Sequence, residues 1–359
     1  MRSRLNDPNV ADRGERRRGA SGRVKGAKLN RESGTFEGLA DCHLHFEGSL
    51  PPLLVESLAR RAGHPLGEPG ALAARRDLIR DPAGFLALFA DVCRLFRSPA
   101  DYADAAAGLA VALAADGVAY AEIYVSPEIC ERIGVDPEGA LEAVDAGFAA
   151  AAAGGCDCRI LLDTVRHWGP EAAGRVLDLQ ERRPRERVVG FGMGGDEAAF
   201  PAAAFAGVYA RARALGLKTS IHAGEWLGAE SVRDALNALR PDRIDHGIAA
   251  ANDPALLTRL AEERVPLFVA PTGNVATGAV PSLATHPLPR LIDSGVAVAL
   301  SADDPLLFAT STSGEYRAAA AMGIGEQALL EMARRGWRGA FGLSAAERER
   351  GAKSVRLGV

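Results

Sequence analysis

From Gly38 onward, short apolar and β-branched runs alternate with longer stretches rich in Ala, Leu and Arg that have helical periodicity. Each short run is bounded by Gly, Pro or Asp, which is typical of buried strands. The runs that we predict to be strands are residues 38–46, 117–125, 158–166, 188–193, 218–224, 243–247, 265–271 and 295–302. Helical patterns between them cover residues 136–153, 201–215, 229–239 and 254–263. Asp136-Pro137 and Asp253-Pro254 have the composition of helix starts.

This alternation predicts parallel strands joined by helical crossovers, and eight repeats favour an α/β fold of the (β/α)₈ TIM-barrel type. The segment between residues 50 and 116 is longer than one crossover requires, so we expect a helical insertion after strand one. Its stretch from Phe85 to Phe96 is amphipathic. We expect one face of this helix to pack on the barrel, with Phe85, Leu86 and Phe89 near the pocket that barrel enzymes form at their strand ends.

The chain has 359 residues and a formal net charge of −4, which gives no broad positive field for nucleic acid or an anionic membrane. Residues 1–36 are basic and poor in large apolar groups, so we interpret them as a disordered, solvated leader before a single barrel domain at 37–359. The five scattered cysteines make no disulfide framework, which favours a cytoplasmic location. We expect a small-molecule substrate and either a monomer or a homo-oligomer.

Histidines and carboxylates are concentrated at the predicted strand ends. His43 and His45 lie two apart in strand one and therefore point to the same face, the barrel interior. His222 and Asp303 end strands five and eight. These four side chains could hold one divalent ion and leave a position open for water, and this donor set suits zinc, with iron or manganese as substitutes. Such an ion lowers the pKa of a water it binds from about 16 to about 7.

Other polar residues at the same ends suit catalytic roles. His246 could accept a proton from the attacking water or orient it, and Glu225 could be a general acid if an enclosed pocket keeps its carboxyl protonated. Structural roles are open for some of these positions. Asp245 could cap the next helix, and Asp304 before Pro305 could do the same while facing a ligand. We expect His64 and His286 to be structural or surface residues.

These residues resemble the adenosine and adenine deaminases of the amidohydrolase superfamily. The resemblance runs from about Gly38 to about Tyr316 and rests on several motifs in order. They are His43-Leu-His-Phe-Glu-Gly-Ser-Leu50, Gly195-Asp-Glu197, His222-Ala-Gly-Glu225, Arg243-Ile-Asp-His-Gly247, Pro271-Thr-Gly-Asn274, His286-Pro287 and Asp303-Asp-Pro305.

The resemblance implies one zinc ion per chain, held by His43, His45, His222 and Asp303. It implies that Glu225 protonates the ring nitrogen beside the attacked carbon, that His246 positions the attacking hydroxide, and that water replaces the 6-amino group of a purine with release of ammonia. It also implies that Asp304 hydrogen-bonds the imidazole ring of the purine. The backbone of Gly195 would contact the other side of the purine.

Two positions bear on the substrate, which we expect to be adenosine, adenine or a modified adenosine. Glu47 stands where adenosine-specific members usually have Asp touching the ribose, and a Glu there resembles adenine deaminases and deaminases of modified adenosines such as aminodeoxyfutalosine. Asp245 replaces a common Gly and resembles the adenine type. Small residues in Met193-Gly-Gly, Ala270-Pro-Thr-Gly and Ser301-Ala-Asp could enlarge the pocket. Two alternatives stay open: another metal-assisted hydrolysis on the same barrel, and a purine-binding protein without activity. Glu225 argues against the first, and the intact ligands together with Glu225 argue against the second.

Overall fold

Each predicted strand is present in the computed structural model, which describes residues 36–358. Their side chains are almost entirely buried because helices cover the outside of a parallel barrel and side chains fill its interior. The strands are β1 Leu39–His45, β2 Val118–Val125, β3 Asp157–Val165, β4 Val188–Gly194, β5 Lys218–Thr219 continued by His222–Ala223, β6 Ile244–His246, β7 Leu267–Val269 and β8 Val298–Leu300.

These eight strands pair in sequence order, and all the pairs between them are parallel. Outside the barrel, Phe36–Glu37 pairs antiparallel with Arg356–Leu357. The ring closes between β8 and β1, where the amide of His45 donates to the carbonyl of Asp303 and the amide of Asp303 donates to the carbonyl of His43, each at 3.0 Å. The (β/α)₈ prediction is therefore confirmed. Closure brings two of the predicted metal ligands on β1 beside a third that follows β8.

Helices separate the strands. They are α1 Pro52–Ala62, α2 Ala71–Arg76, α3 Pro82–Cys93, α4 Pro99–Ala115, α5 Pro127–Arg132, α6 Pro137–Ala151, α7 Gly169–Arg182, α8 Ala206–Ala214, α9 Ala229–Leu239, α10 Pro254–Glu263, α11 Pro271–Ala276, α12 Leu288–Asp293, α13 Pro305–Phe308, α14 Thr312–Ala321, α15 Glu326–Arg338 and α16 Ala345–Ser354. Helices α1 to α4 lie between β1 and β2, where the sequence predicts a helical insertion. None of the helices within residues 36–358 has the length and apolar character to cross a bilayer.

Helix starts follow the predicted chemistry in two cases and depart from it in three. The side chains of Asp136 and Asp253 accept backbone N–H bonds at the starts of α6 and α10, as predicted. The predicted helix at 201–215 instead begins as a 3₁₀ turn at Ala202–Phe205. Two capping roles that the sequence left open are not present. Asp245 is buried in the barrel. Asp304 does stand at the start of α13, as the following Pro305 suggested, but its side chain makes no cap bond.

A buried ion pair lies below the strand ends. The guanidinium of Arg243 donates to the carboxylate of Glu122 and to the carbonyl of Cys42, and all three residues are fully buried. The guanidinium also lies 4.0 Å from the ring centre of Phe341. These contacts compensate the desolvation of both charges, and they tie β1, β2 and β6 together below the site. The predicted leader lies outside the described residues except for Phe36.

Candidate active site

The imidazoles of His43, His45 and His222 and the carboxylate of Asp303 converge at the carboxyl ends of β1, β5 and β8; we call these four side chains the ligand cluster. The Nε2 atom of His222 lies 3.0 Å from that of His43 and 3.1 Å from that of His45. Oδ1 of Asp303 lies 3.2 and 3.3 Å from the same two Nε2 atoms. Zn–N bonds of about 2.0–2.1 Å give tetrahedron edges of about 3.3–3.4 Å, so the donor spacing fits one small divalent ion.

Neighbouring groups orient the ligand cluster. Nδ1 of His222 lies 3.0 Å from the carbonyl of Met193, so it carries the hydrogen and leaves the Nε2 lone pair for a metal. Asp303 has a left-handed φ of 62°, which a non-glycine residue adopts at a cost in free energy. Such strained positions cluster at functional sites, and here the conformation accompanies a side chain that turns toward three histidines.

Asp245 lies below the ligand cluster and not at a helix end. It accepts hydrogen bonds from Ser220 Oγ at 2.8 Å and from the hydroxyl of Tyr124, and its Oδ2 lies 3.6 Å from Nδ1 of His222. Burial alone would raise the pKa of Asp245, but the charges of His43, His222 and Arg243 lower it instead. Asp245 is thus a negative charge behind the histidine ligands.

His246 and Glu225 face each other beside the ligand cluster. Nε2 of His246 lies 3.4 Å from Oε2 of Glu225, and the Thr277 hydroxyl donates to Oε1 of Glu225 at 3.4 Å. Burial, followed by the charge of Asp303, raises the pKa of Glu225 well above its usual range. Burial lowers the pKa of His246 to about 3. Burial therefore favours the protonated carboxyl of Glu225 and the neutral imidazole of His246.

A chain of hydrogen bonds sets which nitrogen of His246 carries the hydrogen; we call it the His246 chain. The amide N–H of Leu288 can only donate, and it donates to Nδ1 of His286 at 3.0 Å. His286 is neutral because burial lowers its pKa to about 4, so its Nε2 carries the hydrogen and faces Oδ1 of Asn274 at 3.3 Å. The Asn274 amide nitrogen then donates to Nδ1 of His246 at 3.1 Å. Nε2–H of His246 consequently points toward the reaction site.

The loop that carries Glu225 is anchored by Glu197. This carboxylate accepts the backbone N–H groups of Gly224, Trp226 and Leu227. Glu197 is buried with 5% of its surface exposed. Its position in the Gly195-Asp-Glu197 motif signalled a role, but the sequence did not indicate which one. The structure shows that it holds the turn on which the candidate acid lies.

Asp304 points into the cavity, and Gly48 makes room for it. A Cβ atom at Gly48 would lie 1.6 Å from Oδ1 of Asp304. That oxygen is buried and has no hydrogen-bond partner in the described residues. Burial and the neighbouring Asp303 charge raise the pKa of Asp304 well above its usual range. Asp304 therefore lines the cavity with its Oδ1 packed against Gly48, and burial favours its protonated form.

The cavity above the ligand cluster has a volume of about 390 Å³, within the range of small-molecule sites. Three apolar side chains of α3 that the sequence predicted near the pocket do line it, namely Phe85, Leu86 and Phe89, and so does Gly195. Glu47, which we also expected to contact the substrate, has a different position. It is buried with 1% exposure behind the wall and does not line the cavity. Burial raises the pKa of Glu47 to about 7.

The two histidines treated as structural or surface residues both make local contacts. Nδ1 of His64 accepts the Leu66 amide at 3.2 Å in the loop after α1, far along the chain from the strand ends. His286 is buried and belongs to the His246 chain. His286 and Asn274 both lie in motifs of the resemblance, but the sequence indicated no role for either residue. An exposed location for His286 is wrong.

The comparisons with known proteins agree with this geometry. The family model described as adenosine deaminase matches residues 38–355. Adenine deaminase from Sinorhizobium medicae is 39% identical over 84% of this chain and 93% of its own length. Adenine deaminase from Agrobacterium fabrum is 37% identical over 87% and 95%.

Solved structures give the same result. Adenine deaminase from Arthrobacter aurescens has a TM-score of 0.83 and 29% identity, covering 88% of this chain and 98% of that one. An amidohydrolase from Burkholderia ambifaria with bound zinc has a TM-score of 0.82 and 25% identity, covering 88% of each. Together with the family model that spans most of the residues described, they establish that this chain belongs to the adenosine deaminase family.

Proposed function

We propose that the protein is a zinc-dependent hydrolase that converts a 6-aminopurine and water into the 6-oxopurine and ammonia, with adenine as the substrate that its relatives favour. The observation that carries the proposal is the position of Glu225, whose carboxyl lies beside the ligand cluster with Oε2 3.4 Å from Nε2 of His246 and is not one of the four ligands. Hydrolysis of an amide or ester needs no acid for a ring nitrogen, whereas displacement of ammonia from an aromatic amidine does. The adenine deaminases that are 37–39% identical support the choice of base.

Zinc fits the donor set because three imidazole nitrogens and one carboxylate oxygen lie at the spacing that tetrahedral zinc requires. When bound, the ion supplies a Lewis acid that makes water nucleophilic near neutral pH. His43, His45, His222 and Asp303 would hold it. The zinc in the similar amidohydrolase from Burkholderia ambifaria supports this choice over iron or manganese.

Glu225 is the proposed general acid. Its protonated carboxyl donates its proton to the lone pair of N1, which makes C6 electrophilic. When the water oxygen adds to C6, the C6=N1 π pair becomes the lone pair of N1–H. One water proton replaces the proton that Glu225 gave to N1, and the other leaves with the amino nitrogen as ammonia when the C6–N bond breaks. Thr277 holds one carboxyl oxygen, so the other can face the ring. Positioned proton transfer of this kind contributes about 10²- to 10⁴-fold to a rate.

His246 is the proposed orienting donor. Sequence reasoning left open whether it accepts the water proton or orients the attacking oxygen. The His246 chain favours orientation because Nε2 already carries a hydrogen and the low pKa keeps the ring from taking a second one. A donor aimed at the oxygen that gains charge in the transition state stabilises it electrostatically.

Asp304 and Gly195 are proposed to hold the purine on its two other sides. The neutral Asp304 carboxyl can donate to N7, and the Gly195 backbone can donate to N3. Phe85, Leu86 and Phe89 would exclude water from above the ring. Glu47 does not reach the cavity, so we propose that it acts on substrate choice through the wall that it supports.

Metal analysis and a substrate panel test the function. Purified protein is expected to contain one zinc per chain and to release ammonia from at least one of adenine, adenosine and aminodeoxyfutalosine. His43→Ala is expected to lose metal and activity together, whereas His64→Ala, the matched control away from the strand ends, should keep both. Wild-type protein that holds a full equivalent of zinc yet releases no ammonia from any aminopurine would refute the proposal.

Free, buried cysteines support our further proposal of a cytoplasmic location.

A further inference from the structure

Asp163 is a cavity-lining carboxylate to which neither the family motifs nor the proposed reaction gives a role. It lies on β3 and lines the cavity. The residue is 4% exposed. Its Oδ2 accepts the Ser126 hydroxyl, and the Gly194 backbone favours the charged carboxylate, while Oδ1 is buried and has no partner that meets hydrogen-bond geometry among residues 36–358. A buried acceptor without a partner is costly unless something else supplies a donor.

The contacts of the proposed reaction decide which edge of the purine meets this carboxylate, so this inference rests on the proposed function. C6 must face the ligand cluster, N1 must face Glu225 after β5, and N7 must face Asp304 after β8. A purine has one remaining edge, which contains N3 and N9. That edge then faces the cavity wall formed by the ends of β3 and β4, where Asp163, Gly194 and Gly195 lie.

The chemistry of that wall distinguishes a free base from a nucleoside. In the common tautomer of free adenine, N3 is an acceptor and N9–H beside it is a donor. Asp163 supplies a carboxylate oxygen at this wall, and Gly195 is the donor already proposed for N3, so the two form the opposite pair. In a nucleoside N9 carries the sugar and has no hydrogen. The carboxylate would then stay buried and unpaired beside a bulky substituent.

We propose that Oδ1 of Asp163 accepts a hydrogen bond from N9–H and thereby selects free 6-aminopurine bases over purines substituted at N9. The hydrogen bond joins an ionised acceptor to a ring N–H in a dry pocket, which is the kind that contributes most to affinity. Asp163 is thus a specificity-determining residue on the side of the ring opposite the reacting carbon.

The test compares adenine with 9-methyladenine, which keeps the reacting carbon, N1, N3 and N7 and has a methyl group in place of the N9 hydrogen. The kcat/KM of zinc-loaded wild-type enzyme is expected to be at least about 10-fold higher for adenine. Asp163→Ala should lower kcat/KM for adenine by about 10- to 100-fold and leave that for 9-methyladenine unchanged or raised. Asp163→Asn, which keeps the side-chain volume, should also lower the ratio of kcat/KM for adenine to kcat/KM for 9-methyladenine, but by less.

Glu128→Gln is the matched control. Glu128 is a buried carboxylate that accepts the Val165 amide at 2.9 Å on the same strand, but it does not line the cavity. This variant should keep the wild-type ratio, and zinc content should be equal in all four proteins.

The proposal is supported if the ratio of kcat/KM for adenine to kcat/KM for 9-methyladenine falls in the Asp163 variants and not in Glu128→Gln. An equal loss for both substrates in those variants would show a merely structural role and overturn it, as would a wild-type enzyme that uses 9-methyladenine as well as adenine. If Asp163→Ala does not fold, Asp163→Asn decides. Failure of the wild type on every aminopurine would instead refute the proposed function itself, so the two failures are distinguishable.

Discussion

Asn274→Asp should move the ring hydrogen of His246 from Nε2 to Nδ1, because the His246 chain depends on the amide donor of Asn274. In the native chain the Asn274 amide nitrogen donates to Nδ1 at 3.1 Å, and Leu288 fixes that direction through His286. A carboxylate at position 274 can only accept, so Nδ1 would carry the hydrogen and Nε2 would present a lone pair to the reaction site. The substitution changes almost no volume, which makes the effect electronic.

The magnitude follows from what Nε2–H is proposed to do. Removing one donor from a developing negative oxygen in an enclosed site lowers kcat by about 10²- to 10³-fold, or about 3–4 kcal/mol. Nε2 is not a member of the ligand cluster, since it lies 3.9 Å from the nearer Asp303 oxygen. Metal content should therefore stay at the wild-type level while kcat falls.

Two measurements check this prediction. Ammonia release from adenine by zinc-loaded protein gives kcat, and ¹⁵N NMR of histidine-labelled protein reports which ring nitrogen of His246 carries the hydrogen. Asn237→Asp is the matched control, because Asn237 is exposed on α9, contacts Arg259 and does not line the cavity. An Asn274→Asp enzyme with wild-type kcat, or with the hydrogen still on Nε2, would refute the reasoning.

Further predictions concern the cavity wall, the buried ion pair and pH. Gly48→Ala should displace the Asp304 carboxyl and lower kcat/KM for adenine by about 10-fold or more with zinc retained, because the new Cβ would overlap Oδ1; wild-type kcat/KM would contradict this. Arg243→Met leaves Glu122 buried without its cation and should lower the free energy of unfolding by about 3–5 kcal/mol in guanidinium titrations. Adding Glu122→Gln should recover part of this loss. No recovery in the double variant would argue against the ion pair as the cause. Glu315 has a pKa raised by burial to about 7, so the native state keeps a proton that the unfolded chain releases near 4.5. Its contribution to stability therefore falls as pH rises between these values, by about 1.4 kcal/mol per pH unit, and the difference in unfolding free energy between wild type and Glu315→Gln should change with that slope in urea titrations at several pH values. A difference independent of pH would show that Glu315 does not titrate as described.

The fold was largely predictable because each barrel strand is a short buried run between turn residues. All eight predicted strands are present, with ends shifted by a few residues. Helix starts were less certain, because Asp before Pro looks alike whether it caps a helix, as Asp253 does, or faces a cavity, as Asp304 does. The difference depends on tertiary position, here on Gly48, which no local pattern reveals.

The candidate site was predictable where spacing alone determines geometry. His43 and His45 share a face because a strand alternates, and this period places both at the ligand cluster. The His246 chain was not predictable, because Asn274 and His286 come from a different βα loop and meet His246 only after the barrel closes.

Glu47 shows a limit of prediction from resemblance. A resemblance suggested contact with substrate at that position, but its side chain is buried behind the cavity wall. Asp163 was missed because a carboxylate at the end of an apolar strand has no distinguishing local signal. Its buried, unpartnered oxygen became visible only in the folded chain.

The central claim is that Glu225 is an acid in the reaction and not a ligand of the metal. Glu225→Gln keeps the shape of the side chain and removes the transferable proton. Elemental analysis with ammonia release should show zinc at the wild-type level and kcat for adenine lowered by about 10²- to 10⁴-fold. Loss of zinc in this variant, or turnover close to the wild-type value, would contradict the account.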